Sequence, residues 1–323
     1  MVAHPPRARA ASTLLVAALV ALVAGCGVRL ETPAPVELSP GAVEQVRART
    51  VDEALELAQA AREARDGVSD EDTTAAVLED VARFCAEHVD AFGGVYDSGL
   101  PRPTPTGTPP AEPPATVGDV LSALHETSEA ALDAAADDPD GPTARLLAAV
   151  GVARAELADR LTLASTVEVE PAPTATAAPE PTGLPEGLTA DDVTALVVAH
   201  DQAGYGFEVV AARLSDLARA VAWSAAVSHR EAAAEWLARG AAIGVADDPR
   251  RPTYALPVLP DEAAVRALAA DLETAVADAA GAPIARLAAG RRDELVDLLR
   301  SSTAAARTWG AQPVAFPGLR TLG

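Results

Sequence analysis

Three side chains in the second half of the sequence have types and spacings that could bind a metal ion. His200 and His229 lie in consecutive segments with helical periodicity, and Glu273 lies in a third such segment. The two histidines are equally far in sequence from the turn expected near 214–215. At 1.5 Å per residue they should lie at one height of an antiparallel helix pair, about 20 Å from that turn. Facing imidazoles with a carboxylate from a third helix are a possible ligand set inside a helical bundle.

The same residues do not fit a carboxylate-bridged di-iron centre. Such a centre takes glutamates from four helices and two Glu-x-x-His motifs, and none of His88, His125, His200 and His229 has a glutamate three residues before it. The favoured interpretation is therefore a pair of neutral core histidines, bonded to a hydroxyl, a carboxylate or a buried water; a mononuclear metal site is the alternative. The Ser–His pairs Ser122–His125 and Ser228–His229 lack a third partner and an oxyanion-hole signal, so no catalytic residues and no cofactor are expected.

Helices must position these side chains, because the chain is rich in alanine and only 3% aromatic. Thr116 and Thr189 each precede an acid by three residues, which is the capping-box spacing at a helix start. The periodicity predicts helices over 40–66, 70–93, 117–136, 142–165, 189–213, 216–240, 261–280 and 284–308. We expect an all-α fold with two ferritin-like four-helix bundles in tandem. A weak internal similarity leaves open whether the first bundle is a copy of the second.

Proline-rich stretches divide the chain, since such segments favour extended spacers over helices. The expected order is a signal peptide over 1–25, a tether over 26–38, an N-terminal helical bundle over 39–165 with a proline-rich internal loop over 100–115, a Pro/Thr/Ala-rich linker over 166–187, a ferritin-like four-helix bundle over 188–310 and a tail over 311–323.

The first 30 residues predict where the protein is located. Arg7 and Arg9 precede an apolar run of about a dozen residues, too short for the roughly 20 that span a bilayer. Such a pattern is typical of a secretory signal peptide. Its end, LVAGC, resembles the lipobox of bacterial lipoproteins, which implies lipidation of Cys26 and cleavage just before it. Cys85 then has no disulfide partner within the chain, and we expect it in a helix core.

The second half also resembles a known family. The segments VVAHDQAGYGFEVVAARL and SHREAAAEWLARGA, followed by YALP and the tail FPGL, are similar to an uncharacterised ferritin-like family common in actinobacterial proteins. The resemblance covers about 186–318 and implies a ferritin-like bundle without a known activity. Members often have a glutamate just before the first-helix histidine, where this chain has Ala199.

The net charge of the chain limits the classes of molecule that it can bind. The formal net charge of −22 repels phosphate backbones, so nucleic acid is not an expected partner. The sequence therefore predicts a lipid-anchored, extracytoplasmic helical protein with a binding or structural role, attached to the bilayer through Cys26. Its other partner could be a protein, a cell-wall component or a small molecule. The alternative is a ferritin-like metal-binding redox protein that uses the histidine pair.

Overall fold

The computed structural model describes residues 40–69, 72–96, 113–165, 183–245 and 247–319. The predicted signal peptide, the tether, Cys26 and most of the predicted linker lie outside the described residues. Within them the chain is all helical, as expected, and contains no strand. No described helix combines the length and the apolar character that crossing a membrane requires.

The described helices form two groups of four. They are α1 (Ala42–Asp66), α2 (Thr73–Ala91), α3 (Val117–Asp137), α4 (Gly141–Ala164), α5 (Ala190–Arg213), α6 (Asp216–Gly240), α7 (Glu262–Gly281) and α8 (Asp293–Thr308), with short 3-10 helices at Ala241–Ile243 and Ile284–Arg286. In the first group the hairpins α1–α2 and α3–α4 pack side by side, α1 against α3 and α2 against α4. In the second, α5 packs against both α6 and α7, and α7 packs against α8.

Two helix starts confirm the local signals in the sequence. The Thr116 hydroxyl accepts a hydrogen bond from the backbone N–H of Asp119, whose carboxylate accepts in return from the Thr116 N–H. Thr189 and Asp192 make the same reciprocal pair at the start of α5. Each pair satisfies two backbone donors that a helix N-terminus otherwise leaves free.

The predicted helix over 284–308 is wrong at its start. A 3-10 turn ends at Arg286, Gly290 has a φ of 71°, and α8 begins only at Asp293. The intervening segment packs on the turn between α3 and α4, where the Gly290 N–H donates to the Ala136 carbonyl at 2.8 Å. Arg292 is buried in the same place, and its guanidinium donates to the carbonyl of Asp138 at 2.7 Å.

One of three apolar clusters among the described residues joins the two helix groups. Val51 of α1 and Leu147 of α4 belong to the same buried cluster as Leu196 of α5 and Ile284. The approach is close at Gly141, where an added Cβ would overlap the carbonyl oxygen of Ala285. The described residues of both helix groups accordingly belong to one compact unit.

Candidate functional site

The α5–α6 hairpin brings the two histidines together, as their spacing predicts. Nδ1 of His200 lies 3.0 Å from Nδ1 of His229, and the ring centroids are 5.2 Å apart. Both residues belong to the inner faces of their helices, with exposed fractions of 3% and 9%. Equal helical rise from the turn is sufficient to explain the match in height.

Glu273 of α7 joins the pair from the opposite side. Its Oε1 lies 3.2 Å from Nε2 of His229, the ring nitrogen that points away from His200. The three side chains therefore lie in a line and do not surround a common point. In the part of the chain that the structure describes, no three or more His, Cys, Asp or Glu side chains are grouped in the way that a metal ion requires. The arrangement is what the hydrogen-bonded core interpretation expects, and the metal site stays a prediction.

Aromatic side chains and burial set the electrostatics of the pair. The Phe207 ring is stacked on His229, with centroids 5.5 Å apart and planes 12° from parallel, and Trp309 packs against Phe207. Burial, together with the neighbouring His229, lowers the pKa of His200 to about 3, because a charged imidazole would lose its hydration. His200 is therefore neutral at physiological pH.

Asp201, the next residue after His200, was not identified from the sequence. It is 2% exposed and accepts hydrogen bonds from the Arg230 guanidinium, from the Arg251 backbone N–H at 3.0 Å and from the Tyr254 hydroxyl at 2.7 Å. Burial and the bond to Asp201 raise the pKa of Tyr254 to about 12. Asp201 thus fixes the YALP segment against α5 and α6, beside the histidine pair.

A cavity of about 410 Å³ lies where the two helix groups meet. Its walls come from both groups and from the segment 311–319, which we call the C-terminal tail. Many of the lining residues are apolar or carry no charge, among them Ala277, Ala306, Pro313, Val314, Ala315, Phe316, Pro317 and Leu319. The sequence did not predict this cavity, since it is created by packing between residues far apart in the chain.

One wall of the cavity is formed by charged side chains that pair with one another. The buried Glu156 carboxylate of α4 lies 2.7 Å from Nε of Arg160 and 3.0 Å from Nε of Arg307 of α8. Burial raises the pKa of Glu156, while the two arginines oppose that shift. Arg160 also donates to the carbonyl of Ala311 at 2.6 Å, so the cluster holds the tail in place.

The tail is fixed at a second point by His88 of α2. Its Nε2 donates to the carbonyl of Ala315 at 2.9 Å, and its ring packs edge-on against Phe316. Burial lowers the pKa of His88 to about 4, with a smaller contribution from the charge of Arg154. The tail therefore connects α8 to the first helix group.

Two further described residues with reactive side-chain types, His125 and Cys85, lie away from the histidine pair. His125 and Glu129 line an open groove of about 620 Å³ between α3, α4 and α8. Cys85 is buried in the core, as predicted, and burial raises its thiol pKa to about 11, which disfavours the reactive thiolate.

Comparison with known proteins agrees with this description but adds no activity. No curated protein and no solved structure matches the chain. One family model matches residues 193–321, which include α6, α7, α8, most of α5 and the tail. The expectation of an uncharacterised domain in the second half is confirmed, and this part of the chain is similar to the family described as "Domain of unknown function (DUF4439)".

Proposed function

We propose that this chain is a lipid-anchored, non-enzymatic binding protein on the outer face of the cell membrane. The leader and the lipobox-like LVAGC support the location, since Cys26 would carry the lipid. Two long acyl chains bury enough methylenes for a stable anchor without a spanning helix. The helical body then presents its binding site to the extracytoplasmic space.

The main support for a binding role is the cavity between the helix groups. Its volume of about 410 Å³ is in the range of pockets for small molecules. Alanine, proline, valine and phenylalanine side chains line much of it, and such surfaces favour an apolar ligand. Most of the charged lining is already paired: Glu156 with Arg160 and Arg307, and Glu87 with Arg83. Asp278 also lines the cavity. We therefore propose a small, largely apolar and uncharged ligand.

The hydroxyl groups of the lining support a binding role over catalysis. Thr274 donates its hydroxyl to the Ala270 carbonyl at 2.8 Å, and Thr303 donates to the Leu299 carbonyl at 2.7 Å. Both bonds are local to one helix, and no base is bonded to either oxygen among the described residues. An activated nucleophile requires such a base within hydrogen-bond reach.

Binding of the neutral fluorescent dye Nile red to the purified extracytoplasmic body tests this function. We expect saturable binding of one dye per chain. Val314 is 53% exposed in the cavity wall, so Val314→Trp should block the cavity without disturbing the core and weaken binding at least about tenfold. Val258→Trp, at an 88% exposed position outside the cavity, is the matched control and should bind normally. No saturable binding, or equal binding by both variants, would contradict the proposal.

The second candidate is a metal-binding redox protein, and the 3.0 Å approach of the two histidine Nδ1 atoms favours it. The residues that would hold the ion are His200 and His229, with Glu273 beside them. Elemental analysis of the purified protein separates the two functions. Stoichiometric iron, zinc or manganese that is lost in His200→Ala would support the redox candidate, and protein without stoichiometric metal would refute it.

A further inference from the structure

The two hydrogen bonds of His229 restrict which nitrogen atoms carry protons along the buried line Glu273–His229–His200. Its Nδ1 lies 3.0 Å from Nδ1 of His200, and its Nε2 lies 3.2 Å from Oε1 of Glu273. A bond between two imidazole nitrogens requires an N–H on one ring and a lone pair on the other. Both bonds share one ring, so the protons on Glu273 and on His229 together determine which nitrogen of His200 carries a proton.

Three arrangements of donors are possible along this line, because His229 can also be an imidazolium that donates from both ring nitrogens. If Glu273 is a carboxylate and His229 is neutral, Glu273 only accepts, so His229 donates from Nε2 and accepts at Nδ1 from the Nδ1–H of His200. Nε2 of His200 then has a free lone pair. In the reverse order, where a protonated Glu273 donates to His229, Nε2 of His200 has an N–H with no acceptor in the described residues. The same holds if His229 is an imidazolium. A buried N–H without a partner is rarer in proteins than an under-used acceptor. The first arrangement is therefore favoured.

Nε2 of His200 lies at the end of this line of hydrogen bonds. The residue is 3% exposed, and this nitrogen makes no hydrogen bond within the ranges that the structure describes. Buried polar atoms almost always have a partner, which is often an ordered water. We propose that Glu273, His229 and His200 form a directed relay that makes Nε2 of His200 an acceptor site for one water-sized, neutral hydrogen-bond donor.

The surroundings hold the rings in the orientation that this site needs. Phe207 stacks on His229, and the neighbouring Asp201 is fixed by Arg230 and Tyr254. A carboxylate that accepts from one ring nitrogen fixes the tautomer and raises the basicity of the other nitrogen. Two imidazoles in series extend that effect from Glu273 to Nε2 of His200.

Two-bond ¹H–¹⁵N correlation spectra of histidine-labelled protein at pH 7 test the relay, with His200 assigned from a His200→Asn variant. We expect Nδ1 of His200 to be protonated and Nε2 to be unprotonated. A nuclear Overhauser contact between water and the Hδ2 or Hε1 proton of His200 should report the bound donor. An N–H on Nε2 of His200, or no such contact, would overturn the proposal.

Glu273→Met should shift His200 toward the Nε2–H tautomer, because the relay loses its terminal acceptor. Glu231→Met is the matched control, since Glu231 is exposed on α6, and it should leave the tautomer unchanged. A folded Glu273→Met protein with an unchanged His200 tautomer would contradict the role of Glu273. Zn²⁺ is the competing occupant: stoichiometric binding of added Zn²⁺ that perturbs Nε2 of His200 would refute the neutral-donor site.

Discussion

The imidazole of His88 on α2 donates a hydrogen bond to the Ala315 carbonyl in the C-terminal tail, 227 residues later in the chain, at 2.9 Å. This contact fixes the tail to the first helix group and places Phe316 and its neighbours in the wall of the cavity. Because the histidine must be neutral in its buried position, the contact also links the stability of the fold to pH.

We predict that acid destabilises the protein through His88. Its pKa is about 4 in the folded state and near 6.5 when exposed, so below pH 6.5 the unfolded chain binds a proton that the folded chain does not. Stability contributed by neutral His88 is therefore complete above about pH 6.5 and is lost as the pH falls toward 4. Between pH 7 and 5 the loss should be about 2 kcal/mol.

Urea unfolding of wild-type protein and His88→Gln at pH 7 and 5 measures this difference. The variant should lose less stability on acidification, by about that amount, although it is less stable at pH 7. His200 is lowered in the same direction and remains in both proteins, so it cancels in the comparison. Equal acid sensitivity of the two proteins would contradict the role of His88.

We predict that the contact of the helix groups tolerates no side chain at Gly141. A Cβ there would overlap the backbone oxygen of Ala285, which cannot move without shifting the 3-10 turn. Gly141→Ala should cost about 1–3 kcal/mol of unfolding free energy. Gly118→Ala, where the nearest atom is 3.6 Å from the added Cβ, should be neutral or slightly stabilising. Thermal and urea denaturation would show the contrast, and equal effects would disprove close packing at Gly141.

We predict that Arg292 stabilises the segment before α8. Its guanidinium donates to the carbonyls of Ala135, Asp138 and Leu287, and the side chain is buried. Arg292→Met should leave these acceptors without partners and cost at least about 2 kcal/mol. Its neighbour Arg291 is exposed, so Arg291→Met should change the free energy of unfolding little. Similar losses in both variants would argue against this account.

Features of the structure that depend on local sequence could be predicted, whereas those that depend on contacts between distant residues could not. Helix starts at Thr116 and Thr189 depend on residues three positions apart, and the facing histidines depend only on helical rise from one turn. The late start of α8 was missed because Gly290 and Arg292 bond to the α3–α4 turn, more than 150 residues earlier. The position of Glu273 on the far nitrogen of His229 depends on ring orientation, which periodicity does not contain.

We predict that Cys26 carries the lipid anchor. Replacing its thiol in Cys26→Ala removes the nucleophile that forms the thioether, so metabolic labelling with a fatty-acid probe should be lost. Cys85→Ala is the matched control, because the Cys85 thiol is buried in the body, and it should label normally. Labelling that persists in Cys26→Ala would refute the anchor.

Hydrogen–deuterium exchange with and without Nile red tests the central claim most directly, because it locates the ligand on the chain. We expect protection in the C-terminal tail and in α4, α7 and α8, which form most of the cavity walls, and no change in α6. Protection confined to α5 and α6, or no protection at saturating dye, would contradict a binding site between the two helix groups.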